Sequence, residues 1–466
     1  MKLHILGICG TFMGGIAALA RELGHEVAGS DQNIYPPMSD QLAALGIALK
    51  SGYRAEHLGS ADPAQVPDLV IVGNALSRGN PAIEHMLNAR LPYVSGPQWI
   101  GDNLLGARRV FAVAGTHGKT TTTAMLAWML DACGRAPGFL VGGVPENFGV
   151  SARLGGAPSA LSSQSSDLDF VIEADEYDTA FFDKRSKFVH YRAQIAILNN
   201  LEYDHADIFP DVAAIQRQFH HLVRSVPGNG RLIVNAEDAR VAEVLGMGAW
   251  TPVTTFGVDT GDWRARLIAE DGSEFAVLRD GREVGIVRWP LIGRHNVMNA
   301  LAALAAAEAG GVDIGKAIFA LADFRSAKRR MELVGEIDSI KVYDDFAHHP
   351  TAIATTLAGL RARVGAARIL VGMEPRSNSM RLGAHAAELT PSLADADAVV
   401  FLRRPELAWD AETVTAALNG RGQTAPTVDT LIAALREQAR AGDHVVFMSN
   451  GGFENAPRRF LMALSG

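Results

Sequence analysis

The stretch that decides the fold is Val110-Phe111-Ala112-Val113-Ala114-Gly115-Thr116-His117-Gly118-Lys119-Thr120-Thr121. An apolar run leads directly into a glycine-containing turn, and the helix-spaced segment Thr122–Asp131 follows. In this strand–loop–helix arrangement, backbone N–H groups and the helix N-terminus bind phosphate. The stretch therefore predicts an α/β domain that binds a nucleotide.

Two side chains of this loop suit a nucleoside triphosphate. Lys119 is placed to reach the terminal phosphates, and the Thr120 hydroxyl is placed to ligate Mg²⁺. A strict Walker A motif needs glycine where Val113 stands, which argues against a generic NTPase. An ordinary glycine turn is the alternative. The predicted ATP-binding residues here are Gly115, Thr116, His117, Gly118, Lys119, Thr120 and Thr121.

Short apolar runs alternate with helix-spaced segments along the whole chain, which predicts βαβ units and parallel sheets. Changes in the pattern near residues 107 and 327 divide the 466 residues into predicted domains 1–107, 108–327 and 328–466. From Val253 to Trp289 the pattern favours hairpins, with turns at Asp271-Gly272 and Asp280-Gly281. The polar stretch Ser159–Ser166 is typical of a surface loop.

Composition excludes several classes of protein. The 43 basic and 51 acidic residues give a formal net charge of −8, which argues against nucleic acid as a partner. An apolar content of 48% excludes a disordered chain, and two cysteines exclude a disulfide framework and fit a cytoplasmic protein. Glycines interrupt the uncharged stretch Leu3–Ala20, which we interpret as strand, loop and helix rather than an export signal. No other run is long enough to span a membrane.

Candidate metal ligands follow two further apolar runs. Glu173 follows Phe170–Ile172, at the strand end where α/β proteins bind ligands and where Mg²⁺ needs hard oxygen atoms. His205 follows Ile195–Leu198 and is a candidate for a second metal. The alternatives are a solvated strand end for Glu173 and a structural role for His205.

Two loops outside the phosphate loop also carry ligand-binding chemistry. Asn296, near the start of an alanine-rich helix, has the donor and acceptor that adenine recognition requires, although Asn there is commonly a cap. The N-terminal loop joins a strand to a helix, and Asp31 follows it in the position that binds ribose. This loop is not GxGxxG, so a dinucleotide, another phosphate-bearing ligand and tight packing alone all stay open.

In the last third of the chain, polar motifs follow three predicted strands. Asp344–Pro350, Glu374–Arg381 and Ser449–Gly452 should lie along one edge of a third sheet. Arg376 offers a planar fork that suits a carboxylate.

Taken in order, GTHGKTTT, EADE, the Asp204-His205 pair, GRHNVMNA and DDFAHHP resemble the Mur ligase family, the ATP-dependent amide ligases of peptidoglycan assembly. The opening His4–Ala18 resembles members that bind UDP-N-acetylmuramate. The stretches that resemble members using a recovered tripeptide as the amine are Tyr35–Met38, Phe181–Tyr191, Gln218–Leu222 and Glu374–Met380.

The resemblance implies three α/β domains: a Rossmann-like N-terminal domain, a central P-loop ATPase-type domain and a C-terminal Rossmann-like domain. It implies ATP-dependent joining of UDP-N-acetylmuramate to L-Ala-γ-D-Glu-meso-diaminopimelate through an acyl phosphate, in peptidoglycan recycling. The cofactors would be ATP and Mg²⁺, and the partners small molecules. A ligase that adds L-alanine to the same donor is the nearest alternative; a non-catalytic nucleotide sensor and a dehydrogenase are more distant ones.

The resemblance also assigns roles to residues. Lys119, Glu173 and His205 would be catalytic, with Thr120, Glu173 and His205 as metal ligands. Asn296, Arg330 and Asp345 would complete the ATP site, and Arg376, Asn378 and His348 would bind the peptide. The UDP-N-acetylmuramate site would comprise Gly10, Thr11, Met13, Gly14, Gly15 and Asp31. The carbamylated lysine of some relatives has no counterpart, because no lysine lies between Lys187 and Lys316.

Overall fold

The computed structural model describes residues 1–34, 38–59, 66–156 and 168–465. Residues 35–37 of the Tyr35–Met38 stretch and all of the predicted loop Ser159–Ser166 lie outside these ranges. Within them, no helix combines the length and the apolar composition that crossing a bilayer requires.

The N-terminal sheet is parallel and has the strand order β3-β2-β1-β4-β5, which is the Rossmann order that the resemblance implied. Gly7, with φ +82°, ends β1 earlier than the apolar run His4–Ile8 predicted. The strands are β1 (Lys2–Leu6), β2 (Glu26–Asp31), β3 (Ala48–Ser51), β4 (Leu69–Val72) and β5 (Tyr93–Ser95). The helices are α1 (Thr11–Glu22), α2 (Met38–Ala44), α3 (Pro81–Asn88) and α4 (Gly96–Asn103).

The middle sheet has ten strands, β17-β16-β15-β14-β13-β12-β6-β9-β7-β8. They are β6 (Arg109–Ala114), β7 (Gly138–Leu140), β8 (Ala152–Arg153), β9 (Asp169–Ala174), β12 (Ile195–Leu198), β13 (Arg231–Asn235), β14 (Val253–Phe256), β15 (Trp263–Leu267), β16 (Glu274–Arg279) and β17 (Arg282–Arg288). A separate hairpin joins β10 (Asp178–Ala180) to β11 (Asp183–Ser186). The helices are α5 (Lys119–Ala132), α6 (Val212–Val223), α7 (Ala239–Gly246), α8 (Arg294–Ala309) and α9 (Ile314–Ala320).

The hairpin prediction for this domain is correct for β15 to β17, which are antiparallel. It is wrong for β14, which pairs parallel with β13. β14 also pairs parallel with β15, and local turn signals could not determine this polarity, because polarity depends on which strand becomes the partner.

The C-terminal sheet has the order β18-β19-β23-β20-β21-β22, and β18 alone among these strands pairs antiparallel. Its strands are β18 (Glu332–Ile337), β19 (Ile340–Asp345), β20 (Ile369–Met373), β21 (Ala398–Leu402), β22 (Gly422–Ala425) and β23 (His444–Met448). The helices are α10 (Pro350–Val364), α11 (Asn378–Leu382), α12 (Ala386–Ser392), α13 (Ala411–Ala416), α14 (Val428–Gln438) and α15 (Ala456–Leu464). The three-sheet α/β architecture is thereby confirmed, while the exact joints at 107 and 327 stay predictions.

Close backbone contact joins the N-terminal and middle domains. A Cβ at Gly101 in α4 would lie 2.3 Å from the backbone oxygen of His190, and a Cβ at Gly15 in α1 would lie 2.2 Å from Leu140 Cδ1. The Leu140 side chain can move aside, but the His190 carbonyl is backbone, at the end of the 3-10 helix Lys187–His190 of the other domain. Gly101 is therefore the tighter constraint on how these two domains pack.

We expect Gly101→Ala to lower the free energy of unfolding by about 1–3 kcal/mol, the usual cost of overpacking. Its matched control is Gly246→Ala, because a Cβ at Gly246, also in a helix, would meet no atom within 4 Å. That control should be neutral or slightly stabilising, since Ala is the better helix former. Urea titration measures both, and equal stability of the two variants would contradict the prediction.

Candidate active site

The phosphate loop lies between β6 and α5, as the sequence predicted. Gly118, the N-cap of α5, has φ +78°, and a Cβ there would lie 2.5 Å from Asn299 Oδ1. The amides of Thr116 and His117 donate to the backbone oxygen (3.0 Å) and the side-chain oxygen (2.7 Å) of Asn200. The N–H groups best placed for phosphate are consequently those that begin α5, a narrower set than the sequence predicted.

Two hard oxygen atoms meet at the end of β9. Thr120 Oγ1 donates to Glu173 Oε1 at 3.1 Å, and the Gly142 amide donates to Glu173 Oε2 at 2.7 Å. Arg330, from the C-terminal domain, donates to Thr120 Oγ1 at 3.3 Å. Burial raises the pKa of Glu173. A hydroxyl and a carboxylate side by side are the donors that Mg²⁺ accepts, so these residues fit the predicted metal.

The Lys119 ammonium is held by the carboxylates that follow Glu173. Lys119 Nζ lies 2.8 Å from Glu176 Oε2 and 3.9 Å from Asp175 Oδ1. Burial opposes the charge of Lys119, but Glu176 and Asp175 raise its pKa above the ordinary value. Asp175 also binds Lys187 Nζ at 2.7 Å. The lysine predicted to bind phosphate is therefore charged and oriented by Glu176.

His205 joins the same cluster rather than the Thr120–Glu173 pair. Its Nε2 lies 3.3 Å from Glu176 Oε1, and the ligand atoms of His205, Asp175 and Glu176 all lie within 4.8 Å of one another. Burial disfavours the charged ring, yet Glu176, Asp204 and Asp175 raise the pKa of His205. These donors could hold a second divalent ion.

A cavity of about 430 Å³ lies between the middle and C-terminal domains, next to the phosphate loop. Asn296, Arg330 and Asp345 all line it, as predicted. Asn296 Nδ2 donates to the backbone oxygen of Ile292 at 2.7 Å, so part of its amide is already engaged. The cavity also contains His295, whose buried Nδ1 has no hydrogen-bond partner within the described ranges. Burial lowers the pKa of His295 to about 4, which leaves a neutral ring.

Arg330 and Asp345 shape the C-terminal wall of this cavity. The Asp345 carboxylate accepts hydrogen bonds from the amides of Met331 (2.7 Å) and Ala347 (2.8 Å). The Arg330 guanidinium lies 4.6 Å from the centre of the Phe346 ring. Both side chains are thus held in place before any ligand binds.

A second cavity, of about 420 Å³, is lined by His205 of the Asp175–Glu176–His205 cluster. His348, Arg376 and Asn378, the residues predicted to bind the peptide, line it together. Asn378 Nδ2 donates to Asp207 Oδ2 of the middle domain at 2.9 Å. Arg376 is exposed and packs over Gly451, where a Cβ would lie 2.2 Å from Arg376 Cδ.

Some residues of the predicted N-terminal ligand loop are buried in packing contacts, and others are exposed or half-buried. Met13, Gly14 and Gly15 are buried; a Cβ at Gly14 would lie 2.2 Å from Met38 Sδ. Packing alone accounts for these positions, and ligand contact by them stays a prediction. Gly10 is exposed and Thr11 half-buried, while Asp31 accepts hydrogen bonds from the amides of Cys9 and Asn33, both at 2.9 Å.

Three family models together match most of the chain. They are the Mur ligase family catalytic domain over residues 2–108, the Mur ligase middle domain over 113–307 and the Mur ligase glutamate ligase domain over 329–451. A relative from Escherichia coli (strain K12), UDP-N-acetylmuramate--L-alanyl-gamma-D-glutamyl-meso-2,6-diaminoheptandioate ligase, is 53% identical over 466 residues, which are 100% of this chain and 98% of that protein. The chain belongs to the Mur ligase family.

Two further comparisons place this Mur ligase among its relatives. A solved murein peptide ligase from Psychrobacter arcticus 273-4 is 47% identical, with a TM-score of 0.76, covering 100% of this chain and 99% of that one. A UDP-N-acetylmuramate--L-alanine ligase from Roseiflexus castenholzii (strain DSM 13941 / HLO8) is 35% identical over 407 residues, 81% of this chain and 78% of that protein.

Sequence reasoning left three residues of the Mur ligase site without a role. Asp175 and Glu176 were quoted in the EADE motif, but their contact with Lys119 and His205 was not foreseen. His295, beside Asn296, was likewise not singled out. Their place in the sequence was the available signal, because all three lie within three residues of a residue predicted to bind ligand.

Asp344, beside Asp345, supplies a pH-dependent contribution to stability. Burial raises the pKa of Asp344 to about 6 from the ordinary 3.8, although Arg329 at 3.3 Å opposes this. As the pH rises from 3.8 to about 6, Asp344 ionises in the unfolded chain but stays protonated in the folded one. Ionisation therefore stabilises only the unfolded chain in this range, and the free energy of unfolding falls. The loss should be complete above about pH 6 and amount to at most about 3 kcal/mol.

We expect Asp344→Asn to remove this decline, giving a flatter curve of unfolding free energy between about pH 4 and about pH 7. Asp338→Asn, in the exposed turn of the same hairpin, is the control and should follow the wild-type curve. Denaturant titrations at each pH measure the effect. A parallel decline in Asp344→Asn and wild type would show that Asp344 is not its source.

Proposed function

We propose that this Mur ligase joins UDP-N-acetylmuramate to L-alanyl-γ-D-glutamyl-meso-diaminopimelate with consumption of ATP, in peptidoglycan recycling. The observation that carries the proposal is sequence identity. The chain is 53% identical over 466 residues to a ligase named for that tripeptide, against 35% over 407 residues to one named for L-alanine. Two cavities support it, because two substrates and a nucleotide must converge: His205 lines one cavity, and Gly118, which precedes Lys119, lines the other.

The reaction proceeds in two steps. The muramoyl carboxylate attacks the γ-phosphate of ATP, which breaks the bond to ADP and gives an acyl phosphate. The α-amine of the tripeptide then attacks the acyl carbon, and phosphate leaves as the amide forms. Neither step needs a covalent bond to the protein, so its contribution is positioning and neutralisation of charge.

The nucleotide would lie in the 430 Å³ cavity. Lys119 would turn from Glu176 to the terminal phosphates, with Arg330 approaching from the other domain. Asn296 would contact adenine, and Asp345 would hold the wall of the cavity in shape. The amides of the phosphate loop, residues Gly115 to Thr121, would surround the phosphate chain, chiefly through those that begin α5.

Mg²⁺ held by Thr120 and Glu173, with a second ion at His205, would neutralise charge on the transferring phosphoryl group. Glu173 is already oriented for this by the Gly142 amide. Asp175 and Glu176 extend the ligand set at His205, which suits a chain that lacks the lysine carbamylated in some relatives.

The two remaining substrates would approach from opposite sides. We assign the UDP-N-acetylmuramate site to the first domain, at Gly10, Thr11 and Asp31, with Met13, Gly14 and Gly15 supporting the loop from within. The tripeptide would occupy the 420 Å³ cavity, with Arg376, Asn378 and His348 as its contacts. The partners are small-molecule substrates, and we place the enzyme in the cytoplasm, where ATP is available; nucleic acids and membranes are not among its proposed partners.

We expect Glu173→Gln to raise the Mg²⁺ concentration for half-maximal activity by about tenfold or more, with little change in the KM for the tripeptide. The amide keeps the size of the side chain but loses the charge that a hard cation prefers. Glu283→Gln on the exposed hairpin β16–β17 is the matched control. An unchanged Mg²⁺ titration would return Glu173 to a structural role.

Phosphate release with each amine tests the proposal as a whole. The wild-type enzyme should have a higher kcat/KM with the tripeptide than with L-alanine. Both amines present the same nucleophile, so only contacts to the rest of the peptide can discriminate. A preference for L-alanine would favour the alternative ligase, and no phosphate release with either amine would favour a nucleotide sensor.

Arg376→Lys should raise the tripeptide KM about tenfold and leave the KM values for ATP and UDP-N-acetylmuramate unchanged. Lysine keeps the charge but loses the planar fork that binds a carboxylate through two hydrogen bonds. Arg403→Lys, exposed in the same domain and outside the cavity, is the control. An unaltered tripeptide KM in Arg376→Lys would remove Arg376 from the peptide site.

A further inference from the structure

Two histidines and a carboxylate meet where the C-terminal domain contacts the phosphate loop. His117 Nε2 lies 2.7 Å from Glu202 Oε2, and His349 Nδ1 lies 3.4 Å from the same oxygen. The three ligand atoms all lie within 4.8 Å of one another. His349 is buried and belongs to the C-terminal domain, whereas the other two residues belong to the middle domain.

The hydrogen bonds of His349 determine which of its nitrogen atoms carries the proton. The Thr351 amide donates to Nδ1 at 3.3 Å, so Nδ1 presents a lone pair. Nε2 lies 3.3 Å from the backbone oxygen of Tyr203, which can only accept, so Nε2 carries the proton. Nδ1 and the Glu202 carboxylate are then two acceptors facing each other at 3.4 Å. A cation between them would turn this unfavourable contact into a favourable one, and it would take the Nδ1 lone pair in place of the 3.3 Å hydrogen bond from the Thr351 amide.

The surrounding contacts are those that support metal ligands in proteins. Thr351 Oγ1 donates to Glu202 Oε1 at 2.9 Å, which leaves Oε2 directed at the two histidines. Histidine ligands usually donate their second N–H to a carbonyl or carboxylate, as His349 does to Tyr203. Burial favours the neutral carboxyl, but His117 and Thr351 lower the pKa of Glu202 to about 2, so the carboxylate is ionised.

We propose that His117, Glu202 and His349 form a binding site for a divalent transition-metal ion, of which Zn²⁺ fits best, at the contact between the middle and C-terminal domains. Two imidazoles and a carboxylate suit Zn²⁺, whereas Mg²⁺ prefers oxygen ligands. Zn²⁺ bonds of about 2.0–2.1 Å in a tetrahedron place ligand atoms about 3.3 Å apart. The His349–Glu202 separation already matches this, and His117 must withdraw by about 0.6 Å as its proton moves to Nδ1.

Because the ligands come from two domains, the bound ion would hold the domains in the arrangement seen here. The site is separate from the Thr120–Glu173 pair and from the His205 cluster proposed for Mg²⁺, but His117 and Glu202 also line the cavity proposed for the nucleotide, so the binding test is made without ATP. It is also independent of which amine the enzyme uses.

Equilibrium dialysis of the full chain against Zn²⁺ in excess Mg²⁺ tests the site. His349→Asn removes the imidazole but keeps a residue that can cap α10, since His349 is the N-cap there. Zn²⁺ affinity at one site per chain should fall about 10–100-fold in this variant. His385→Asn is the matched control, because His385 is also an N-cap and its ring lies 4.4 Å from that of His349.

Thermal unfolding and Co²⁺ absorption supply independent measurements. Zn²⁺ should raise the midpoint of unfolding of the wild type and of His385→Asn, but not of His349→Asn. Bound Co²⁺ should show the visible absorption of a histidine-containing site. Glu202→Gln should weaken this absorption, and this second variant supplies the test if His349→Asn does not fold. Unchanged Zn²⁺ affinity in both His349→Asn and Glu202→Gln, or its loss in His205→Asn alone, would overturn the proposal.

Discussion

Neutralisation of three neighbouring carboxylates at the end of β9 is the constraint on which the rest of the site depends. Glu173, Asp175 and Glu176 lie close together, and partial or full burial disfavours the charge of each, so nearby cations are needed to keep them ionised. Lys119 and Lys187 provide them, at 2.8 Å from Glu176 and 2.7 Å from Asp175. The phosphate-loop lysine is consequently oriented by the same carboxylates that would attract metal ions.

This cluster also explains why the C-terminal domain is needed to complete the site. Arg330 reaches Thr120 across the domain boundary, and Ser379 Oγ donates to Asp204 Oδ1 at 2.7 Å next to His205. The loop that carries Arg376 therefore contacts the segment that carries His205. These two hydrogen bonds connect the C-terminal domain directly to the phosphate-loop helix and to the segment that carries His205.

The predictions from sequence were most successful where the function depends on consecutive residues. The strand–loop–helix at residues 110–121 identified the nucleotide-binding domain, because its glycine, lysine and threonine act within one turn of chain. The sequence predictions did not foresee contacts between residues far apart in the chain. The amides of Thr116 and His117 donate to Asn200, so fewer N–H groups of the loop are free for phosphate than expected. Met13 and Gly14 are buried against the rest of the protein, and their contact with a ligand stays a prediction.

The sequence by itself determined the α/β class, the three-sheet organisation and the family, because apolar runs, glycine turns and motif order are local properties of the chain. Only the tertiary structure decided that Lys119 pairs with Glu176, that β14 is parallel, and that His349 faces Glu202 from another domain. Lys119 and Glu176 are 57 residues apart, and the Thr351–Glu202 hydrogen bond beside His349 joins residues 149 apart. The physical reason is that a side chain's charge state and partner depend on what burial places beside it, and burial is a property of the packed chain.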